Sequence, residues 1–284
     1  MSIKEISNPL TEDLAPLDSQ VVPTEEPLPS VGNHSWVIVG RKGSGKSTLL
    51  LRALTSKKSP WCCSKSFDNV FLCSQSAGKD DKFADMVEEL SSDGHFHSTF
   101  NEKILQDIED EIRAFNQQYK DDLAEYKFNK ETTGKGYYTR VVGKDRNGRD
   151  VLKKYYKERL LPRHLIILDD CINLLPRSTA NSKINDLYTN HRHLKASIIT
   201  TSQVYNKLST AIRRNADMLS LFRTENAQEY DAISGDWCID PKTFNKVWDY
   251  ATDEPNSFLH IQVCGPRPLF YKKFNRIVMD EIPK

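Results

Sequence analysis

Net charge is what this chain has least of. Lys and Arg number 40 and Asp and Glu 39, leaving +1 over 284 residues. A molecule so balanced is no general binder of polyanions, and any nucleic-acid contact has to come from a local patch. Long apolar runs are missing too: no stretch of about 18 apolar residues occurs, so no membrane-spanning helix is expected. The N-terminus is acidic and proline-bearing, without a basic region leading into an apolar one, so no secretory signal is expected. The cysteines, Cys62, Cys63, Cys73, Cys171, Cys238 and Cys264, contain no C-x-x-C pair, and no histidine pair stands at zinc-finger spacing. Reduced thiols in a cytoplasm-like compartment follow from that pattern. His95, His97, His191 and His193 lack an accompanying thiol or carboxylate cluster and read as structural or surface residues.

What is present centres on Trp36-Val37-Ile38-Val39-Gly40-Arg41-Lys42-Gly43-Ser44-Gly45-Lys46-Ser47-Thr48. The spacing G-x-x-x-x-G-K-S is that of a phosphate-binding loop, and an apolar strand before it and a Leu-rich helix after it supply the context the motif requires. Gly40, Gly43 and Gly45 allow a tight turn and close approach to phosphates. The loop N–H groups, those of Arg41, Lys42 and Ser44 included, form an anion nest reinforced by the positive end of the helix. Lys46 is expected to reach the β- and γ-phosphates of ATP, Ser47 to hold Mg²⁺, and Thr48 to add a phosphate contact through its backbone or hydroxyl.

A second motif is Arg163-His164-Leu165-Ile166-Ile167-Leu168-Asp169-Asp170, an apolar strand ending in two carboxylates. Such a strand delivers charge to the sheet edge where phosphates sit. Asp169 is expected to bind Mg²⁺ directly or through water, and Asp170 to orient or deprotonate the attacking water. A further buried strand over Ala196–Gln203 ends on the same edge, where Gln203 can hydrogen-bond that water or sense the γ-phosphate.

The other segments fall into place around these. Residues Met1 to about Asn33, rich in proline and acids, read as a flexible arm, free or packed on a neighbouring subunit. Strands are expected over Phe67–Cys73 and Ala216–Phe222. Helices are expected over Lys82–Leu90, Asn101–Tyr126, Ala180–Leu194, Leu208–Asn215 and Asp240–Tyr250. Tyr137–Val142 and Val151–Tyr156 flank Asn147-Gly148 as a hairpin. Between Lys127 and Arg159 Lys and Arg far outnumber Glu131, Asp145, Asp150 and Glu158, and tyrosines are interleaved, which suits a nucleic-acid backbone as well as a solvated surface. Strands over Ser257–Cys264 and Leu269–Phe274, around Gly265-Pro266, close one sheet edge. The domain reading is an arm over 1–33 and an α/β domain over 34–284 with a helix–hairpin insertion at about 97–160.

Five stretches occur together in order: Gly40–Thr48, Leu165–Asp170, Asn190-His191-Arg192-His193, Ile198–Gln203 and Ile212-Arg213-Arg214-Asn215. In this combination the chain resembles the poxvirus-type genome-packaging ATPases of the FtsK–HerA superfamily, over about residues 34–225. Many members of that superfamily have Asp-Glu where this chain has Asp169-Asp170, and the 97–160 region matches none of the family's motifs. The resemblance implies a RecA-like P-loop NTPase fold of the additional-strand type. It implies ATP hydrolysis with Mg²⁺ driving double-stranded DNA into a preformed capsid. It also implies a homo-oligomeric ring, hexameric or pentameric, a capsid or vertex protein as docking partner, and a place in the host cytoplasm, at the viral assembly site or on the virion. Gln203 becomes the sensor, and Arg213 or Arg214 the arginine finger reaching a neighbour's γ-phosphate, with Arg192 and Arg223 not separable from them by sequence. The alternatives are a nucleotide-gated assembly or recruitment protein that hydrolyses little, a DNA translocase or helicase outside packaging, and a nucleotide kinase.

Overall fold

A computed structural model describes residues 26–29, 32–171, 182–237, 240–263 and 268–278. Most of the expected arm, and Ala180, Cys238, Cys264 and Gly265-Pro266, lie outside the described residues.

In chain order, β1 (Ser35–Val39) runs into α1 (Lys46–Thr55), the short α2 (Cys63–Ser66), β2 (Asn69–Ser74), α3 (Ala84–Ser92) and β3 (Phe96–His97). The long α4 (Glu102–Thr133) carries a hairpin of β4 (Tyr138–Lys144) and β5 (Asp150–Tyr155). Then follow β6 (His164–Asp169), α5 (Lys183–Leu194), β7 (Ala196–Ser202), α6 (Thr210–Asn215), β8 (Met218–Phe222), α7 (Ala227–Trp237) and α8 (Pro241–Thr252). The strands β9 (Phe258–Gln262), β10 (Leu269–Lys272) and β11 (Asn275–Arg276) complete the described chain.

Nine strands form one sheet in the order β11-β10-β9-β8-β1-β7-β6-β2-β3. From β8 to β3 every neighbour is parallel, and β9, β10 and β11 add antiparallel strands at one edge. Strands β1, β6 and β7 are buried at every position, which is why they read as unbroken apolar or hydroxyl-bearing runs rather than alternating ones. Successive side chains point to opposite faces, so Val37, Ile166 and Ile198 join one core cluster and Trp36, Ile167 and Ile199 the other. Each such burial contributes about 1.5–3 kcal/mol before the chain's entropy is set against it.

Register then positions the chemistry. Val39 pairs with Ser202, Leu168 with Thr200, and Asp169 with Ser74, so the carboxyl ends of β1, β7, β6 and β2 are level. The strand lying between β1 and β6 is β7, the one that precedes Gln203; the strand read at Phe67–Cys73 lies beyond β6.

Three expectations change. The segment 26–29 is packed rather than loose: Leu28 is 8% exposed, and the Pro27 and Pro29 carbonyls accept hydrogen bonds from His260 Nε2 (2.8 Å) and Trp61 Nε1 (3.0 Å). Helix α4, expected over Asn101–Tyr126, is capped by the Asn101 side chain and runs past Tyr126 to Thr133. Helix α7 had no counterpart in the sequence reading. Among the described residues no helix is long and apolar enough to cross a membrane.

Candidate nucleotide site

The loop between β1 and α1 is shaped by close packing. A Cβ on Gly40 would lie 2.5 Å from Ser44 Oγ and 2.8 Å from Phe222 Cβ, so no larger residue fits there. Gly45, the residue before α1, has φ of 105°, a left-handed conformation that L side chains rarely adopt. Arg41, Lys42, Gly43 and Thr48 are exposed, and Ser44 and Ser47 half-buried. Lys46 is buried, and its Nζ donates to the Gly40 carbonyl (2.6 Å) and more weakly to that of Arg41 (3.4 Å). Burial pushes the Lys46 amine below its ordinary pKa, and the negative charges of Asp170 and Asp169 oppose that shift. The ammonium is thus held at the mouth of the loop by two carbonyls, in the field of two carboxylates.

The acidic pair occupies two different environments. Asp169 is buried; its Oδ1 accepts from Thr201 Oγ1 (2.7 Å) and its Oδ2 from Ser74 Oγ (2.8 Å) and Ser76 Oγ (3.3 Å). Asp170 takes a positive φ of 51°, and its N–H donates to Thr201 Oγ1 (2.9 Å). Asp170 lines the cavity; its Oδ2 accepts from Gln203 Nε2 (3.0 Å), and its Oδ1 is buried without a hydrogen-bond partner among the described residues. A non-glycine residue in this conformation is uncommon, and here Thr201 anchors it from β7. Ser74, Ser76 and Thr201 were not foreseen as site residues; hydroxyls at strand ends are common, and only the β2–β6–β7 register brings them onto Asp169.

The cavity has a volume of about 1650 Å³ and is lined at one end by Lys46, Ser47, Thr48, Asp170 and Gln203. Asp169 does not line it. Among the described residues no group of three or more His, Cys, Asp or Glu could hold a metal by itself. Mg²⁺ fits this arrangement in the way it usually binds nucleotides, with few protein ligands and the rest from phosphate and water. Ser47 and Asp170 are oxygen-bearing residues of the cavity lining beside Lys46, and the Asp169 carboxylate, held by its three hydroxyls, does not reach that lining.

A phosphate loop after β1, an acidic pair after β6 and a strand interposed between them decide the architecture. This is a P-loop NTPase fold of the additional-strand type.

Comparisons with known proteins give remote structural likenesses. The genome packaging NTPase B204 from Sulfolobus turreted icosahedral virus 2, in complex with ATP-gammaS, is 15% identical with a TM-score of 0.48, the match covering 84% of this chain and 96% of that one. The pCW3 conjugation coupling protein TcpA, monomer form with ATPgS, is 12% identical with a TM-score of 0.46, covering 84% and 60%. The N-terminal domain of zonular occludens toxin from Neisseria meningitidis is 12% identical with a TM-score of 0.33, covering 84% of each chain. No protein-family model matches the chain, and no curated protein does. Residue roles therefore rest on this chain's own geometry.

That geometry separates the four arginines that sequence left together. Arg213 forms an ion pair with Asp236 and lies over the Tyr205 ring at 5.1 Å. Arg192 is paired with Asp217, and Arg223 with Glu225 (3.3 Å) and Asp249 (3.6 Å). Arg214 is exposed and has no partner among the described residues. Neither Arg213 nor Arg214 lines the cavity of its own chain. The histidines behave as structural groups: His191 Nδ1 is 3.0 Å from the Tyr188 carbonyl, and His95 Nε2 is 3.0 Å from Glu111. Cys62, Cys63, Cys73 and Cys171 are free thiols, and burial pushes Cys63 and Cys73 up to about 12, so they stay protonated.

Proposed function

We propose that the chain is an ATP-hydrolysing motor that moves double-stranded DNA into a preformed viral capsid, of the kind its motif set resembles. The observation that carries the hydrolytic half is the Asp170–Gln203 pair. Asp170 and Gln203, joined by the Nε2–Oδ2 hydrogen bond, line the same cavity as Lys46. That pair is suited to receive the proton of a water and to orient it, which a phosphotransferase that must exclude water has no use for.

In the proposed mechanism the loop N–H groups and Lys46 take up the β- and γ-phosphates of ATP, and the Ser47 hydroxyl would hold Mg²⁺. Mg²⁺, when bound, neutralises charge developing on the phosphates. Asp169, oriented by its hydroxyl donors, would steady the cation through water. Asp170 accepts the proton as water attacks. Arg214, without a partner among the described residues, is the group offered to a neighbour's γ-phosphate in a homo-oligomeric ring, hexamer or pentamer.

The DNA-directed half rests on the insertion. Arg140 and Arg159 are spent on the buried Asp122, but Lys144, Arg146, Arg149, Lys153, Lys154 and Lys157 are all exposed on or beside the β4–β5 hairpin. They make the local basic patch that a near-neutral chain needs for a phosphate backbone. A capsid or vertex protein as docking partner, and a working place in the host cytoplasm or at the site of virion assembly, belong to the same reading.

The test is phosphate release by the purified chain with Mg²⁺ and ATP, with and without duplex DNA. Turnover stimulated by duplex and abolished by Lys46→Ala is the expected result. No release under any condition would remove the motor and leave a nucleotide-gated assembly protein.

A further inference from the structure

Three consecutive residues at the end of β7 hold three different groups of the nucleotide site. The Ser202 carbonyl accepts from the Gly40 N–H (3.1 Å), fixing the first residue of the phosphate loop. The Gln203 amide donates to the Asp170 carboxylate (3.0 Å). The Thr201 hydroxyl meets both acids at once, accepting from the Asp170 N–H (2.9 Å) and donating to Asp169 Oδ1 (2.7 Å). Asp170 is therefore gripped twice by one strand end, at its backbone by Thr201 and at its side chain by Gln203.

The backbone N–H can only donate, so it occupies a lone pair of Thr201 Oγ1 and leaves the single hydroxyl hydrogen for Asp169. Thr201 is fully buried, and the strand that carries it is paired on both sides, with β1 and with β6. The preceding Thr200 is held as well, its Oγ1 accepting from Tyr188 Oη (2.6 Å). Asp170 has no such support of its own. It lies beyond the last pairing of β6, at Asp169, and its φ of 51° is a conformation that costs an L-residue energy. A threonine buried at a strand end needs no function. This one spends its acceptor on the backbone of a neighbour in a left-handed turn, and so decides where that neighbour's carboxylate lies.

We propose that Thr201 is a positioning residue for hydrolysis: by holding the Asp170 N–H it keeps Asp170 in the left-handed conformation that sets its carboxylate against Gln203. Without the hydroxyl the backbone at Asp170 relaxes to negative φ, and the carboxylate leaves the amide. Thr201 does not line the cavity, so it acts through Asp170 and not on the nucleotide. Ser74 and Ser76 still hold Asp169 when Thr201 is altered, so the effect falls on the second acid more than on the first. The proposal rests on the reading of Asp170 as the group that takes a proton from water. It adds that the strand interposed between β1 and β6 fixes the place of that group.

The experiment measures ATP affinity by titration and phosphate release in a single turnover, on the full chain with Mg²⁺ and duplex DNA. Thr201→Val removes the hydroxyl and keeps the branched shape. It should slow release by about 10–100-fold, the scale of a catalytic group displaced by about 1 Å, with ATP affinity within about threefold of wild type. Thr201→Ser keeps the hydroxyl and should release phosphate within about threefold of the wild-type rate. In an Asp170→Asn background Thr201→Val should cost less than about threefold more, because a residue that acts through another is not additive with it. Four results each overturn the positioning role: a wild-type rate in Thr201→Val, a rate loss matched by an equal loss of ATP affinity, a Thr201→Ser variant as slow as Thr201→Val, or a full further loss in the Asp170→Asn background. If Thr201→Val does not fold, Thr201→Ala takes its place under the same criteria. If neither folds while Thr201→Ser does, the hydroxyl is structural and the role is overturned as well. Wild-type protein that releases no phosphate, or Asp170→Asn at the wild-type rate, overturns the hydrolytic reading instead.

Discussion

Two adjacent arginines on α6 illustrate how far individual residues differ once folded. Arg213 is committed to Asp236 and to the Tyr205 ring, both on its own chain, and Tyr205 Oη in turn accepts from Trp237 Nε1 (2.6 Å). Arg213→Ala should lower stability by about 1–3 kcal/mol, as loss of a largely buried ion pair and ring contact does, and the melting temperature reports it. Arg214→Ala should leave the melting temperature unchanged and ATP binding intact. Its turnover in the assembled state should fall by about 10³ or more if it acts on a neighbour. The reverse pattern, with Arg213→Ala folded and slow, would exchange the two roles. Asp170→Asn should retain nucleotide and lose about 10²–10⁴ in kcat, the range for removing a general base, measured as single-turnover phosphate release.

At the scale of elements, what the sequence made legible was what periodicity and motif record. Strands β1, β6 and β7 stood out as apolar runs, and α8 began where Asp240-Pro241 announced it, with the Asp240 side chain accepting from the Thr243 N–H (2.9 Å). Helix α7 escaped because one of its two buried side chains is Glu229, which bonds Tyr205 N–H and Thr224 Oγ1 (2.6 Å); a buried acid carries no apolar signal. The last turns of α4 escaped for a related reason. Beyond Ile112 its buried positions are Asp122 and Asn129, and their partners are Arg140, Arg159 and the Tyr137 carbonyl of the hairpin rather than the core. The interposed place of β7 could not be read from strand order along the chain. The hairpin also yields a prediction of its own. Lys153→Ala with Lys154→Ala should leave folding unaffected, both side chains being exposed, and weaken duplex binding. The slope of log affinity against log salt should become shallower by about 0.9 for each phosphate contact removed. An unchanged slope would take the hairpin off the DNA.

For the molecule as a whole, buried histidines set a lower limit on pH. His164 and His260 are both pushed down to about 4 by burial, so each is neutral in the fold and binds fewer protons than the unfolded chain does near pH 5. Their contribution is complete above the ordinary histidine value and is lost as pH falls from about 6.5 toward 4. Each should cost about 2 kcal/mol at pH 5 relative to pH 7.5, so urea midpoints should drop steeply over that interval. Midpoints that hold steady from pH 7.5 to 5 would contradict the burial of both rings.

The long helix α4 has a mechanical consequence. It packs into the core through Leu105, Ile108 and Ile112, Asn116 Nδ2 donates to the Leu194 carbonyl (2.8 Å), and from there it continues for about 17 residues to Thr133. At 1.5 Å per residue that is a rod of about 26 Å, with the hairpin clasped to it by Asp122. A swing of about 8° at the seated end carries the far end through about 3.5 Å, one base-pair step of duplex. On the proposed DNA-moving role, a rotation of a few degrees at the seated end would be read out at the tip on the scale of single nucleotides.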